Sequence, residues 1–239
     1  ASTPSDCFDA VYEAARIAIQ HMTPVIFLSD GYIANGSEPW KFPDEEHLHP
    51  IDVHFKTELG DGEEKLQPYL RDERGVRPWA IPGTPGLEHR IGGLEKQNIT
   101  GNVSYDPENH QLMVKLRQEK VDRIAEYIPL QKLDSGPEKG KLLVLGWGST
   151  YGAIKTAVAV LQQEGHAVSH AHIRYLRPFP RNLEHIIENF DQVLIPELNN
   201  GQLIKIISYR GLVNAAGYSK IMGIPFTKHE LADEIKKML

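Results

Sequence analysis

The spacing of hydrophobic residues changes along the chain and is most regular after Lys141. Short apolar runs there alternate with segments of helical period. The predicted strands are KLLVLGW, AVSHAHIRYL, DQVLIPEL and SKIMG, and the predicted helices span 150–164, 182–190, about 201–212 and 227–239. Continuous apolar runs indicate strands buried on both faces, and strands joined by helices favour parallel order. We therefore predict that residues 141–239 form an α/β domain with an open, mostly parallel sheet.

The first 42 residues predict a helix followed by a buried strand. The helix covers residues 5–22, and its apolar face comprises Phe8, Val11, Ala15, Ala18, Ile19 and Met22. The run TPVIFLSDGY then predicts a strand that needs parallel neighbours on both sides. Since nothing before it supplies them, we interpret residues 1–42 as the remnant of a larger domain. We expect this remnant to be ordered only through packing or oligomer contacts.

Residues 43–140 have a different composition and predict a long irregular linker or crossover region. Proline, glycine and charged residues dominate it, and apolar periodicity is weak. One helix interrupts it, roughly from Asp106 to Ile128, and its mixed charges predict an exposed, bridging helix. The stretch DSGPEKGK at 134–141 predicts a turn at the domain boundary.

Composition excludes several classes of function. The 239 residues contain 26 Lys and Arg against 32 Asp and Glu, a net charge of −6, which does not favour a nucleic-acid groove or an anionic membrane surface. A single cysteine, Cys7, excludes an internal disulfide and any thiolate cluster built by this chain alone. The apolar runs are far shorter than the roughly 20 residues of a membrane helix. We expect a cytoplasmic protein.

The glycine turn after the first C-terminal strand leaves two interpretations open. Its pattern is Gly146-x-Gly148-x-x-x-Gly152, whose third glycine comes one position later than in the usual dinucleotide-binding turn. Arg174, at the end of the next strand, makes NADP binding an alternative. The structural interpretation is a tight turn from strand to helix, with Ser149 or Thr150 as the helix cap.

The histidines raise the possibility of a metal site, but their pattern favours ordinary solvent-facing or hydrogen-bonded side chains. His170 and His172 share one face of a predicted strand without an accompanying third ligand, and the other group comprises His47, His49 and His54. The chain has neither a G-x-S-x-G nucleophile elbow nor a phosphate-binding P-loop, and Cys7 has no evident base. No catalytic residue, metal ligand or cofactor-binding residue is assigned.

Two polar loops follow predicted buried strands, where open sheets place contacts with ligands or partners. They span residues 28–40 and 196–203. We predict that their polar residues make subunit or domain contacts rather than perform catalysis. The candidates are Asp30, Asn35, Glu38, Glu197 and Asn199.

Several unusual strings, taken in order, resemble the alpha subunit of 2-oxoacid:ferredoxin oxidoreductases, particularly the 2-oxoglutarate type. They cover almost the whole chain and are MTPVIFLSDGYIANGSEPW, PWAIPGTPGLEHRIGG, GNVSYDPENH, LGWGSTYGAI, LRPFP and PELNNGQL. The resemblance implies an enzyme complex that uses thiamine diphosphate, Mg²⁺, iron–sulfur clusters and coenzyme A, with ferredoxin as electron acceptor. It also implies that residues 1–42 end a pyrimidine-binding domain and that residues 141–239 form a transketolase C-terminal-like domain.

The sequence departs from that family at one important motif. The family's Y-P-I-T-P string, at the cofactor and substrate site, is absent. The resemblance therefore implies a C-terminal part of an alpha subunit that acts mainly as scaffold and interface with a beta subunit, and that holds no cofactor alone. An NADP-binding domain and a non-catalytic assembly module remain alternatives, and self-association is a further possibility.

Overall fold

The computed structural model describes residues 1–211 and 215–239, and it leaves the side chain of His47 undescribed. The chain divides into two compact units. The sheet unit comprises residues 1–11, 27–42 and 128–239, and the loop unit comprises residues 12–26 and 43–127. The predicted domain boundaries near residues 42 and 140 stay a prediction.

The sheet unit is built on an open sheet in the order β1-β3-β2-β4-β5. Strands β2, β3, β4 and β5 run parallel, and β1 pairs antiparallel with β3 at one edge. The predicted open, mostly parallel α/β sheet is therefore confirmed. The strands are β1 (Leu133–Ser135), β2 (Gly140–Trp147), β3 (Val168–Ile173), β4 (Phe190–Glu197) and β5 (Ala215–Ser219).

Helices cover both faces of the sheet, which explains why the central strands are continuously apolar. Successive strand residues point to opposite faces, so Leu142 and Val144 pack into one apolar core while Leu143 and Leu145 pack into the other. The first core includes residues of α4 (Tyr151–Gln163) and α7 (Lys228–Lys236). The second includes residues of α5 (Leu183–Glu188) and α6 (Gln202–Tyr209).

The N-terminal helix forms where it was predicted, but its buried face differs. Helix α1 spans Asp6–His21, and its buried residues are Ile17 and His21, whereas Val11 is 49% exposed. The predicted strand after it is wrong. Residues 24–30 form no strand, and Ile26 is 83% exposed. A strand needs a ladder of backbone hydrogen bonds to a neighbour, and in the described part of the chain this segment belongs to no sheet.

Two further predictions along the sheet need correction. The last strand was predicted at 219–223, but β5 occupies Ala215–Ser219 and pairs with β4. The prediction rested on the apolar residues Ile221 and Met222, which are exposed in the structure. The small residues of β5 give no apolar signal. The turn predicted at 134–141 overlaps both β1 and the start of β2. The predicted helix end at Leu212 lies outside the described residues.

The loop unit is mostly irregular, as predicted. Within it, a 3₁₀ turn covers Glu45–His47, helix α3 spans Pro107–Arg123 and a 3₁₀ turn follows at Ile124–Glu126. Between residues 48 and 106 the chain is held by turns and by two isolated β-bridges. Helix α3 is less exposed than predicted, because Met113 is buried and the Asn109 side chain bonds the backbone of two loop residues.

Candidate functional site at the carboxyl ends of the strands

Polar residues gather where the parallel strands of the sheet unit end. In open α/β sheets the carboxyl ends of the strands face the crevice that binds ligands or partners. Trp147 ends β2, Arg174 follows β3 and Glu197 ends β4. Asp6 and Asp30, from the N-terminal segments of the same unit, reach this group by bonding Arg174 and Ser149. We call this set of side chains the carboxyl edge.

Glu197 lies at the centre of the carboxyl edge and is 1% exposed. Its Oε1 accepts hydrogen bonds from the Trp147 indole Nε1–H at 3.2 Å and from the Leu203 backbone N–H at 2.8 Å. Its Oε2 accepts from the Ile204 N–H at 3.1 Å. A carboxylate at a helix N-terminus satisfies backbone donors that have no partner within the helix, and it interacts favourably with the helix dipole. Glu197 thus joins β2, β4 and α6.

Asp30 begins the short helix α2 (Gly31–Ala34) and also connects it to the glycine turn. Its Oδ1 accepts hydrogen bonds from the backbone N–H groups of Tyr32 and Ile33, both at 3.1 Å. Its Oδ2 accepts a hydrogen bond from the Ser149 hydroxyl group. Since both carboxylate oxygens are engaged within the sheet unit, Asp30 has a structural role at this edge.

The other three predicted site residues are each bound to nearby groups of their own unit. The Asn35 side chain donates to the Gly31 carbonyl at 2.8 Å, and Glu38 accepts from the Ser5 backbone N–H at 2.5 Å. Asn199 accepts from the Gln202 backbone N–H at 2.9 Å. Asn35, Glu38 and Asn199 therefore fix local turns and segment ends, and their place in subunit contacts remains a prediction.

Arg174 is engaged by a carboxylate of the chain itself. Its guanidinium lies 2.5 Å from Asp6 Oδ1, and the other oxygen of Asp6 accepts hydrogen bonds from Ser2. Burial acts to raise the pKa of Asp6, but the hydrogen bonds from Ser2 and Arg174 outweigh it and hold the pKa below its ordinary value. This pairing does not favour Arg174 as the ligand of a 2′-phosphate, as the NADP-binding alternative required.

The glycine turn has a structural explanation. A Cβ on Gly146 would lie 2.5 Å from Ile154 Cδ1, so this glycine lets β2 approach α4, and Gly148 has φ of +58°. Thr150 is the N-cap residue of α4, as predicted, but its side chain makes no capping hydrogen bond to the helix. Its hydroxyl instead exchanges hydrogen bonds with the backbone of Trp147, and Ser149 bonds Asp30. A Cβ on Gly152 would meet no atom within 4 Å.

The two strand histidines share a face, as predicted, but His170 is fully buried and His172 is half-buried rather than solvent-facing. Both ring nitrogens of His170 and the Nδ1 of His172 have no hydrogen-bond partner among the described residues. The Tyr151 ring contacts both histidines, with centroids 5.8 and 4.9 Å away. Burial, with a smaller effect of Lys155, lowers the pKa of His170 to about 4, and burial with His170 nearby lowers that of His172 to about 3.

The histidines do not converge with further ligands. In the part of the chain that the structure describes, no group of three or more His, Cys, Asp and Glu side chains is placed to hold a metal ion. His49 and His54 are exposed, and the side chain of His47 lies outside the described residues.

No helix in the described part of the chain has the length and apolar character needed to cross a membrane.

Sequence reasoning missed two members of the carboxyl edge, Trp147 and the pairing partner of Arg174. Trp147 carries a recognisable signal, because an indole at the end of a buried strand needs a partner for its N–H. The partner of Arg174 is Asp6. Its pairing with Arg174 spans 168 positions and has no local signal in the sequence.

Comparisons with known proteins assign this architecture to a family. Residues 1–105 match the family model described as "Pyruvate flavodoxin/ferredoxin oxidoreductase, thiamine diP-bdg", and residues 140–223 match "Pyruvate:ferredoxin oxidoreductase core domain II". The chain is 48% identical, over 99% of its length, to the 2-oxoglutarate oxidoreductase subunit KorA of Mycobacterium tuberculosis. It belongs to the family of 2-oxoacid:ferredoxin oxidoreductase alpha subunits. The resemblance found in the sequence is thereby confirmed.

Other members of the oxidoreductase family agree along the whole chain. The 2-oxoacid:ferredoxin oxidoreductase 2 alpha subunit of Aeropyrum pernix is 29% identical over 98% of it. The structure of the 2-oxoglutarate:ferredoxin oxidoreductase from Magnetococcus marinus, with 2-oxoglutarate, coenzyme A and succinyl-CoA bound, matches 100% of this chain and 41% of its own, at a TM-score of 0.87 and 26% identity. The chain spans about a third of the length of the curated relatives, 35% and 37% in these two cases.

Proposed function

We propose that this chain is part of the alpha subunit of a thiamine diphosphate-dependent enzyme that oxidises 2-oxoglutarate with ferredoxin as acceptor and forms an acyl-CoA and CO2. The observation that carries the proposal is the 48% identity to the Mycobacterium tuberculosis 2-oxoglutarate oxidoreductase subunit, which extends over 99% of the chain. We place the protein in the cytoplasm, in keeping with its single cysteine.

Within that enzyme we assign this chain a scaffold and interface role. Thiamine diphosphate supplies the ylid that stabilises a carbanion, and its diphosphate is usually held through Mg²⁺ and oxygen ligands. The described residues do not fit that task. They include no convergent group of three acidic, histidine or cysteine side chains, and the carboxylate oxygens of Asp30 already accept hydrogen bonds from Ser149 and α2. We therefore derive no catalytic step from this chain.

The partner we propose is a beta subunit that carries the diphosphate, the metal and the nearest iron–sulfur cluster. Large apolar side chains on each unit support an interface role, since extensive exposed apolar surface commonly marks a contact with another protein. In the sheet unit Phe42 is 89% exposed and Tyr209 93% exposed, and in the loop unit Ile26 is similarly open to solvent. Within this assembly we propose residues 1–42, 43–140 and 141–239 as domain remnant, linker and C-terminal domain.

The proposal is tested on the native complex. The protein is captured anaerobically from its source with an antibody raised against this chain, and the co-purifying polypeptides and thiamine diphosphate are identified. Electron transfer to viologen is then compared for 2-oxoglutarate, pyruvate and a branched-chain 2-oxoacid. We expect a longer alpha chain with a beta partner, and the highest kcat/KM for 2-oxoglutarate. A preference for another acid would overturn the substrate assignment, and capture without a partner or thiamine diphosphate would overturn the enzyme assignment.

A further inference from the structure

A small basic cavity lies within the loop unit. It has a volume of about 180 Å³ and is formed by the loop at 69–77 together with helix α3. Four of its side chains are cationic, although the whole chain has a net charge of −6. Its principal lining residues are Tyr69, Arg71, Arg77, Leu116, Arg117 and Lys120. Four like charges close together are electrostatically unfavourable unless an anion offsets them.

Three of the four cations have no carboxylate partner in the part of the chain that the structure describes. Arg117 pairs with Glu95, but Arg71, Arg77 and Lys120 form no ion pair among the described residues. Lys120 Nζ donates to the Met22 carbonyl at 2.8 Å, which leaves two of its three donors available. The Arg77 guanidinium donates to the Pro68 carbonyl at 3.2 Å. Carbonyl oxygens orient these cations without neutralising their charge.

The cations are also held in place before any ligand binds. The guanidinium carbon of Arg77 lies 4.5 Å from the centre of the Tyr69 ring, and that of Arg71 lies 5.5 Å from it. Arg71 additionally donates to the Asn98 side chain at 2.9 Å. Because the side chains are already ordered, an anion that enters the cavity loses little free energy to ordering them.

The cations repel one another in the absence of an anion. Burial, and then the charges of Arg77 and Arg71, hold the pKa of Lys120 below its ordinary value. Burial followed by Arg77 has the same effect on the pKa of Arg71. An anion bound among these groups would relieve the repulsion and stabilise all three protonated side chains.

We propose that this cavity binds a phosphate group. A single carboxylate would neutralise only one of the three unpaired cations. A phosphate monoester carries about −1.5 to −2 charges and several acceptor oxygens, which suit two guanidinium forks and an ammonium group. Two sources share this chemistry: free inorganic phosphate and the phosphate groups of a nucleotide-containing coenzyme. Only the coenzyme source rests on the proposed function.

The test is calorimetric titration of the native complex with inorganic phosphate, in versions that carry substitutions in this chain. Lys120→Gln and Arg77→Gln each remove one cavity cation, and Lys115→Gln removes an exposed charge from the same helix as a matched control. We expect saturable binding that weakens by about tenfold or more in each cavity variant and stays within about twofold in Lys115→Gln. Thermal unfolding of every variant identifies any that fails to fold, and two independent cavity variants keep the test decisive.

Competition then separates the two sources. Displacement of phosphate by coenzyme A in the unmodified complex, and loss of that displacement in Arg77→Gln, would assign the cavity to a coenzyme phosphate. Phosphate binding that coenzyme A leaves unchanged would assign it to the free anion, even if the complex oxidises no 2-oxoacid. The proposal is overturned if phosphate does not bind saturably, or if the cavity variants and Lys115→Gln bind it equally well.

Discussion

At the scale of single residues, the carboxyl edge depends on buried polar groups that are satisfied inside the sheet unit. Glu197 is the clearest case, because one buried carboxylate accepts three hydrogen bonds from two elements. A buried carboxylate without such partners would strongly destabilise the fold. Glu197 stabilises the fold because both of its carboxylate oxygens accept hydrogen bonds, so an isosteric substitution that removes an acceptor is expected to lower stability.

Replacing Glu197 with Gln is expected to lower the free energy of unfolding by about 2 kcal/mol, because an amide NH₂ would face backbone N–H donors. Chemical denaturation measures the effect. Asn199→Ala is the control in the adjacent loop, where loss of one exposed hydrogen bond to Gln202 N–H should cost about 1 kcal/mol or less. Equal effects of the two substitutions would contradict the central role of Glu197.

The lowered pKa values of His170 and His172 predict a dependence of stability on pH. The ordinary histidine pKa is about 6.5 in the unfolded chain, and that of His170 in the folded chain is about 4. Between these values the unfolded state binds more protons, so the free energy of unfolding falls as pH decreases from about 6.5 to about 4. His172 extends the decrease toward pH 3. At neutral pH both rings are neutral in the folded and the unfolded chain, so this loss of stability does not occur.

Unfolding measured across this pH range in His170→Leu should show a smaller decrease, by on the order of 3 kcal/mol, than in the unmodified chain. His185→Gln, which changes an exposed histidine on α5, is the control and should retain the full decrease. If His170→Leu and the unmodified chain lost stability in parallel, neutral burial of His170 would be refuted.

At the scale of elements, the contact between β2 and α4 depends on the absence of a side chain at Gly146. Gly146→Ala should lower the free energy of unfolding by about 1–3 kcal/mol, because its Cβ would overlap Ile154. Gly152→Ala, at the start of α4 in the same motif, has open space around the new methyl group and should be neutral or stabilising by up to about 1 kcal/mol. If Gly146→Ala had a higher melting temperature than Gly152→Ala, this explanation of the turn would be excluded.

The sequence predicted the elements whose signal is local. The apolar runs of β2 and β4 are continuous because both faces are buried. Helix α7 begins with a capping box formed by Thr227 and Glu230. The strand predicted at 25–28 was wrong because an apolar pattern shows only that a segment can form a strand. Whether it does so depends on a partner strand that is distant in the sequence. The position of β5 was missed for the opposite reason, since its small residues pair with β4 but give no apolar signal in the sequence.

The same division between local and distant signals holds for the candidate site. The position of their loops after predicted buried strands singled out Asp30 and Asn199, and this signal comes from residues close to them in the chain. The contacts of Asp30 with Ser149 and of Glu197 with Trp147 join residues far apart in the sequence, which no local pattern can reveal. The basic cavity was missed for the same reason, because its cations come from two separate segments.

At the scale of the whole molecule, the exposed apolar segment at 25–28 predicts a surface that is covered in the native complex. Hydrogen exchange of these amides should be fast in the isolated chain, where backbone pairing is sparse, and at least about tenfold slower in the native complex. The amides of β2, central in the sheet, serve as the internal control and should be protected in both. Slow exchange of residues 25–28 in the monomeric chain would contradict the prediction.

The central claim is that this chain belongs to the alpha subunit of a 2-oxoglutarate-oxidising complex. The most direct measurement is the initial rate of viologen reduction by the anaerobically captured native complex, with 2-oxoglutarate, in the presence and absence of coenzyme A. The account predicts reduction that requires both compounds and is accompanied by formation of succinyl-CoA. A captured complex that contains this chain and its partners intact, yet reduces no viologen with 2-oxoglutarate and coenzyme A, would contradict it.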